Sequence, residues 1–160
     1  MKPWPWCLAF ALTGLALIAS APGVGAATFK VDRFDDVASA TTCSDAVPGD
    51  CSLRGAVSRA NAAPDHDAVI LPEGTYDLSV ASPCTFRARK GESYFGSTVA
   101  LCLDSDASIR GAGSNRTVIR GNGVDRVIAG SVARTVAISG VTVTHGGIGP
   151  FGFQIGGGSG

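Results

Sequence analysis

The chain has 160 residues, of which 45% are hydrophobic, 16% charged and 7% aromatic, with 22 glycines and 8 prolines. Apolar content near half and a mean hydropathy of +0.25 exclude a wholly disordered chain, and the glycines lack the every-third-residue period of collagen. Thirteen Lys plus Arg balance thirteen Asp plus Glu, and most of the cationic charge is arginine scattered singly, so no basic excess points to nucleic acid.

At the N-terminus Lys2 precedes an apolar run from Trp6 to Ala19, a Pro22-Gly23 break, and the small residues Val24-Gly25-Ala26. This pattern predicts a secretory signal peptide over residues 1–26, cleaved near Ala26 or Ala27. The run is shorter than the roughly 17 to 25 apolar residues that cross a bilayer, so no membrane span is expected in the mature chain. Cys7 lies inside the run without the small-residue context of a lipid-anchored leader. Cleavage leaves Cys43, Cys51, Cys84 and Cys102, an even set that suits an oxidising compartment. Four cysteines allow three pairings. The local one, Cys43 with Cys51 and Cys84 with Cys102, closes short loops containing Pro48-Gly49 and Gly91 and is favoured. A metal site is the alternative, but there is no Cys-x-x-Cys and no nearby histidine pair.

Along the mature chain, Ala27 to Val31 alternates apolar and polar residues and predicts a short strand with Phe29 and Val31 inward. Asp32 to Asp50 reads as loop. Asp50-Cys51-Ser52 offers capping side chains ahead of Leu53, Ala56, Val57 and Ala60, which fall at i, i+3, i+4 and i+7. This predicts a short helix ending near Asn61 and before Pro64, with Arg54, Ser58 and Arg59 on its solvated face. Ala68-Val69-Ile70-Leu71 reads as a buried strand, Pro72-Glu73-Gly74 as a turn, and Thr75 to Leu78 as a further extended piece. Residues 82 to 97 are polar and without usable periodicity, an excursion tied at its base by Cys84 and Cys102.

From Ser108 onward, short β-branched pieces alternate with glycines: 108–110, 117–120, 126–129, 135–138 and 141–144, separated by Gly111, Gly113, Gly121, Gly123, Gly130 and Gly140. They read as coils of a strand-turn solenoid. Thr117-Val118 aligned with Thr135-Val136 gives a spacing of 18 residues.

The segment Cys51-Ser52-Leu53-Arg54-Gly55-Ala56-Val57, with Ala60-Asn61 and Asp67 to Tyr76, resembles the CSLREA domain that opens many secreted bacterial right-handed parallel β-helix proteins. The pieces at 109–113, 117–121 and 138–147 resemble the first rungs of such a helix. The resemblance implies an all-β solenoid, a pectin-lyase-like right-handed parallel β-helix. It would be divided into a cap over residues 27–80, a disulfide-tied excursion over 81–104 and incomplete opening rungs over 105–160. Phe29, Leu53 and Val57 would form the core of the cap, sealing the first rung from water and from edge-to-edge pairing. Gly55 departs from the family pattern, which has an acidic residue there, and glycine costs about 1 kcal/mol relative to alanine inside a helix. The glycine-rich run at 156–160 stops where relatives continue, so a fragment or shortened reading frame is expected, marginally stable or self-associating for want of a second cap.

Candidate sites are few. Asp104 and Asp106 sit two apart and offer carboxylates to calcium, against a plain solvated turn. His145 at a corner and His66 between Asp65 and Asp67 are histidines without an evident partner. Asp125-Arg126 echoes the carboxylate and arginine chemistry of polysaccharide lyases, and Asn115-Arg116-Thr117 matches a glycosylation acceptor pattern. No catalytic residue, metal ligand set or cofactor is assigned. The leading expectation is a non-enzymatic exported rod at the cell surface or outside it, whose partner class is an extracellular polysaccharide or surface component. The rival is the N-terminal part of a polysaccharide lyase or glycoside hydrolase.

Overall fold

Alternation decides the first strand. In β1 (Thr28–Lys30) Phe29 is buried between exposed neighbours, and Val31 just beyond is fully buried. The computed structural model describes residues 25–63, 65–86, 95–121, 123, 126–130 and 134–146.

After a long loop comes α1 (Leu53–Ala62), whose stripe of Leu53, Ala56, Val57 and Ala60 is buried. Ser52 caps it, its Oγ accepting the Gly55 N–H at 2.9 Å. The helix closes where the Ala63 N–H donates to the Ala60 carbonyl. The strands that follow are β2 (Asp67–Leu71), β3 (Gly74–Asp77), β4 (Ser82–Phe86), β5 (Phe95–Leu103), β6 (Ala107–Gly111), β7 (Thr117–Arg120), β8 (Arg126–Gly130), β9 (Val136–Ser139) and β10 (Thr142–Thr144).

They assemble into three small sheets of order β1-β2-β6-β9, β3-β7-β10 and β4-β5-β8. The first is parallel throughout and sets Phe29, Val69, Ile109 and Ile138 in one row. The second is also parallel, with Tyr76, Ile119 and Val143 in register. In the third, β4 and β5 run antiparallel and β5 pairs with β8 in parallel. The apolar stripe of α1 and most inward residues of the three sheets share one hydrophobic core, while Cys84, Val99 and Ala129 of the third sheet form a second, smaller cluster.

The expected right-handed parallel β-helix is overturned by this arrangement: the described residues form three small sheets and one helix, not a solenoid. The Cys84–Cys102 segment folds back as an antiparallel pair rather than continuing a coil. Register partners also lack a constant spacing, being 40 residues apart for Phe29 with Val69 and Val69 with Ile109, but 29 for Ile109 with Ile138. The proposed alignment of Thr117-Val118 with Thr135-Val136 fails for the same reason. Thr117 and Val118 belong to β7, beside β3 and β10, whereas Val136 opens β9 beside β6.

The supposed loop at 82–97 contains β4 and the start of β5. Pro83 sits in β4, an edge strand of its sheet, where its missing N–H costs no inner ladder bond.

Candidate functional site

Among the described residues, the loop between β1 and α1 is held by a dense set of polar contacts, and aspartates position it. Asp32 accepts the N–H groups of Gly49 (2.5 Å) and Cys51 (2.9 Å), so both ends of the loop are held to one carboxylate. Asp50 accepts from the Ser44 N–H, and Cys43 and Cys51 form a disulfide at a sequence separation of 8. The Ser52 hydroxyl donates to the Val37 carbonyl at 2.6 Å, tying the loop to the start of α1.

The loop then lies directly on the helix. A Cβ built on Gly55 would stand 1.8 Å from the Ala40 carbonyl oxygen, so no other residue fits there without moving the backbone. The departure from the resembled pattern at Gly55 thus has a local cause in this chain: close approach of loop and helix.

Arg54 is the other anchor. It is buried, not solvated as its helical position suggested, and forms a two-pronged ion pair with Asp36 through Nε (2.5 Å) and Nη2 (2.9 Å). Nη1 donates to Ser82 Oγ (3.0 Å) and Nη2 also to the Val80 carbonyl (2.6 Å). Asp36 in turn accepts the N–H groups of Ser79 and Val80 at 2.8 and 2.7 Å. Burial pushes the Asp36 carboxyl up, but the Arg54 guanidinium and the two amides outweigh it and hold the group below the ordinary aspartate range. One ion pair therefore joins the loop, the helix and the segment entering β4.

Beside this anchor lies a cleft of about 250 Å3, lined by Ala38, Arg54, Val57, Ser58, Asn61, Ser82, Leu101 and Cys102. Its polar groups are largely committed. Asn61 donates to the Cys102 carbonyl and accepts the Asp104 N–H, both at 2.8 Å, and Ser82 accepts from Arg54. The cleft sits below the usual size of a small-molecule pocket, about 300–1,000 Å3, and brings no general base to its serines.

The residues singled out from sequence are dispersed. Phe29, Leu53 and Val57 are buried together in the core, with the Arg59 guanidinium 5.5 Å from the Phe29 ring centre. Cys84 is bonded to Cys102 at a separation of 18. Asp104 is exposed, while Asp106 accepts the Thr135 N–H at 2.6 Å, so its carboxylate already supports a backbone turn. His66 is exposed, and exposed His145 has its Nδ1 3.1 Å from Thr144 Oγ1. Asn115 and Arg116 are exposed, but the Thr117 side chain is buried and accepts the Ala112 N–H at 2.9 Å. Arg126 opens β8, and Asp125 lies outside the described residues, as do most of the leader, 87–94 in the excursion and the glycine run at 156–160. Among the described residues no group of three or more His, Cys, Asp or Glu is placed to hold a metal, and no helix is long and apolar enough to cross a membrane.

Sequence reasoning missed the Arg54–Asp36 pair because the partner lies 18 residues away in a loop without period. It also missed Asp67, a fully buried carboxylate at the start of β2. The one available signal was an aspartate at a strand start, Asp67 opening β2 and Asp106 just ahead of β6.

No family model, curated protein or solved structure matches the chain.

Proposed function

We propose that this chain is an exported, non-enzymatic module of an extracellular or cell-surface protein, in which the loop and helix of residues 32–62 cover the side of the β-sheet core formed by β2 and β5 and leave the other strand faces for binding or adhesion. The observation that carries the reading is the lid itself: a disulfide, a buried ion pair and an intimate loop–helix contact, all spent on holding a cover in place. Two disulfides are compatible with an oxidising compartment, and the Lys2 to Ala26 pattern supplies a leader for reaching it. The resemblance of Cys51 to Val57 to the CSLREA motif supports the same secreted setting. The cleft beside Arg54 favours structure over catalysis, since its arginine and asparagine are engaged by the protein's own groups.

The test expresses the full chain with its own leader in a bacterial host, then follows its location, its disulfides on reducing and non-reducing gels, and its retention on immobilised polysaccharides. Export with both disulfides formed and retention without product release is the expected result. Release of unsaturated oligosaccharides from pectin-like polymers would overturn the non-enzymatic reading, and a chain held reduced inside the cell would overturn export.

A further inference from the structure

Asp67 is a carboxylate in an unusual position. It is fully buried; its Oδ1 accepts the backbone N–H of Ala27 at 2.7 Å, and its Oδ2 is buried with no hydrogen-bond partner. A buried carboxylate with one oxygen unpaired is costly unless a positive charge or further donors face it. A related contact lies beside it, where Asp106, just ahead of β6, accepts the N–H of Thr135 ahead of β9 at 2.6 Å. Asp106, however, is only half-buried, so water can complete its hydrogen bonding. The two sites differ in what the buried one lacks: a donor richer than a single amide.

The nitrogen already facing Asp67 belongs to Ala27, directly after Val24-Gly25-Ala26, the small-residue sequence that a leader peptidase requires. Gly25 and Ala26 are exposed, whereas Ala27 is half-buried and fixed in place, its carbonyl accepting the Ala68 N–H at 2.8 Å as the ladder of β1 and β2 begins. We infer that cleavage between Ala26 and Ala27 converts this amide nitrogen into an α-ammonium group that forms a buried ion pair with Asp67, so that leader removal completes the fold. Hydrolysis by a leader peptidase consumes one water, leaves a carboxylate on Ala26 and an amine on Ala27, and the amine takes up a proton at neutral pH. Its additional N–H groups supply the donor that Oδ2 lacks, and its charge is matched where the uncleaved amide leaves the carboxylate uncompensated. This inference rests on the export reading for the cleavage itself, but the pairing with Asp67 is testable apart from it.

The experiment is a four-way thermal melt: the full 160-residue chain and the exported chain beginning at Ala27, each with Asp67 and with Asp67→Asn. Cleavage is expected to raise the melting temperature by about 4 °C or more in the Asp67 background and to leave the Asp67→Asn pair within about 1 °C of each other. Equal melting of the two Asp67 chains, or a gap that survives Asp67→Asn, overturns the pairing. Should Asp67→Asn fail to fold, reaction of the Ala27 amine with an acylating reagent at neutral pH decides instead. Labelling at least tenfold slower in the native than in the urea-unfolded chain supports the buried pair, and equal rates overturn it. Mass measurement separates the two readings: an exported chain starting elsewhere overturns this inference while export stands. If the chain stays in the cell, export falls, and melting of the chain cut at Ala27 in vitro still judges the pairing.

Discussion

The two sides of the sheet stack are built from the same alternating pattern yet are buried to different degrees. Under α1, which lies against β2 and β5, Phe29, Val69 and Ile109 are buried, and the row becomes half-buried only at Ile138 in β9. In the second sheet the row Tyr76, Ile119 and Val143 begins at 1% and 0% exposure and ends at 41% in β10. Alternation alone therefore places a residue on the inner face but does not bury it. Burial needs a cover, and at the α1 side the cover is the helix with the 32–50 loop fastened over it.

The contrast breaks most severely if the cover is removed. Leu53→Asp and Val57→Asp place a charge in the seam between α1 and the core, where both side chains are nearly inaccessible. Urea denaturation should show losses of more than about 4 kcal/mol for either change, with soluble aggregates on sedimentation. Retained solubility and an unchanged transition would mean that the helix is not the seal.

Next in size is the ion pair. Arg54→Met leaves Asp36 buried beside two amides but without its cation, at a cost of about 3 kcal/mol by denaturant titration. The pH dependence follows from the direction of the Asp36 shift. A carboxyl held low in the folded state contributes in full above its unfolded pKa, near pH 4, and that contribution is lost as pH falls through the lower folded value. Asp36→Asn should accordingly flatten the acid limb of the stability profile, and an unaltered acid limb would show that the pair does not stabilise the lid.

The disulfides come third. Replacing Cys43 and Cys51 together by serine frees a loop with a sequence separation of 8, and replacing Cys84 and Cys102 frees one of 18. In the chain-entropy account each costs about 2–3 kcal/mol, the longer loop slightly more. The first replacement should also loosen the 32–50 loop, seen as faster amide exchange at Cys51 and Ser52, while the second leaves those amides protected.

How much of this was legible in the sequence depends on which interactions hold each piece. The α1 stripe and the Phe29 and Val69 strands were readable because a period and a cap encode them locally. β4 and β5 were not, since the polar stretch around them masked a pairing fixed by contacts across the chain. Yet the continuous run Val99-Ala100-Leu101-Cys102-Leu103, mostly buried in β5, was a strand signal that went unread. The sheet assembly was misread because short β-branched pieces look alike whichever sheet they join. Pairing, not composition, separates β7 from β9. The burial of Arg54 is not written in the helical spacing, because its partner acid Asp36 comes from a loop and helical spacing carries no information about loops.

Gly55→Ala sharpens the comparison by the sign of its effect. On an ordinary helix the change would stabilise by about 1 kcal/mol. Here the added methyl meets the Ala40 carbonyl, so the loop must lift from α1 and the change should destabilise by about 1–3 kcal/mol. A stabilised variant would show that loop and helix are not in contact in solution.

The smallest effect belongs to the other side of the stack. Val143→Ser removes apolar surface that is already 41% exposed, and denaturation should move by no more than about 0.5 kcal/mol. Val69→Ser, in an inner position with no exposure, loses its burial and leaves a hydroxyl in the core, a cost of about 2–4 kcal/mol. Both side chains occupy inward positions of parallel ladders, so strand propensity largely cancels between them and the remaining difference reports the cover. A loss at Val143 approaching that at Val69 would mean that the β10 side is also covered in solution, and the lid over β2 would then no longer be what distinguishes the two sides.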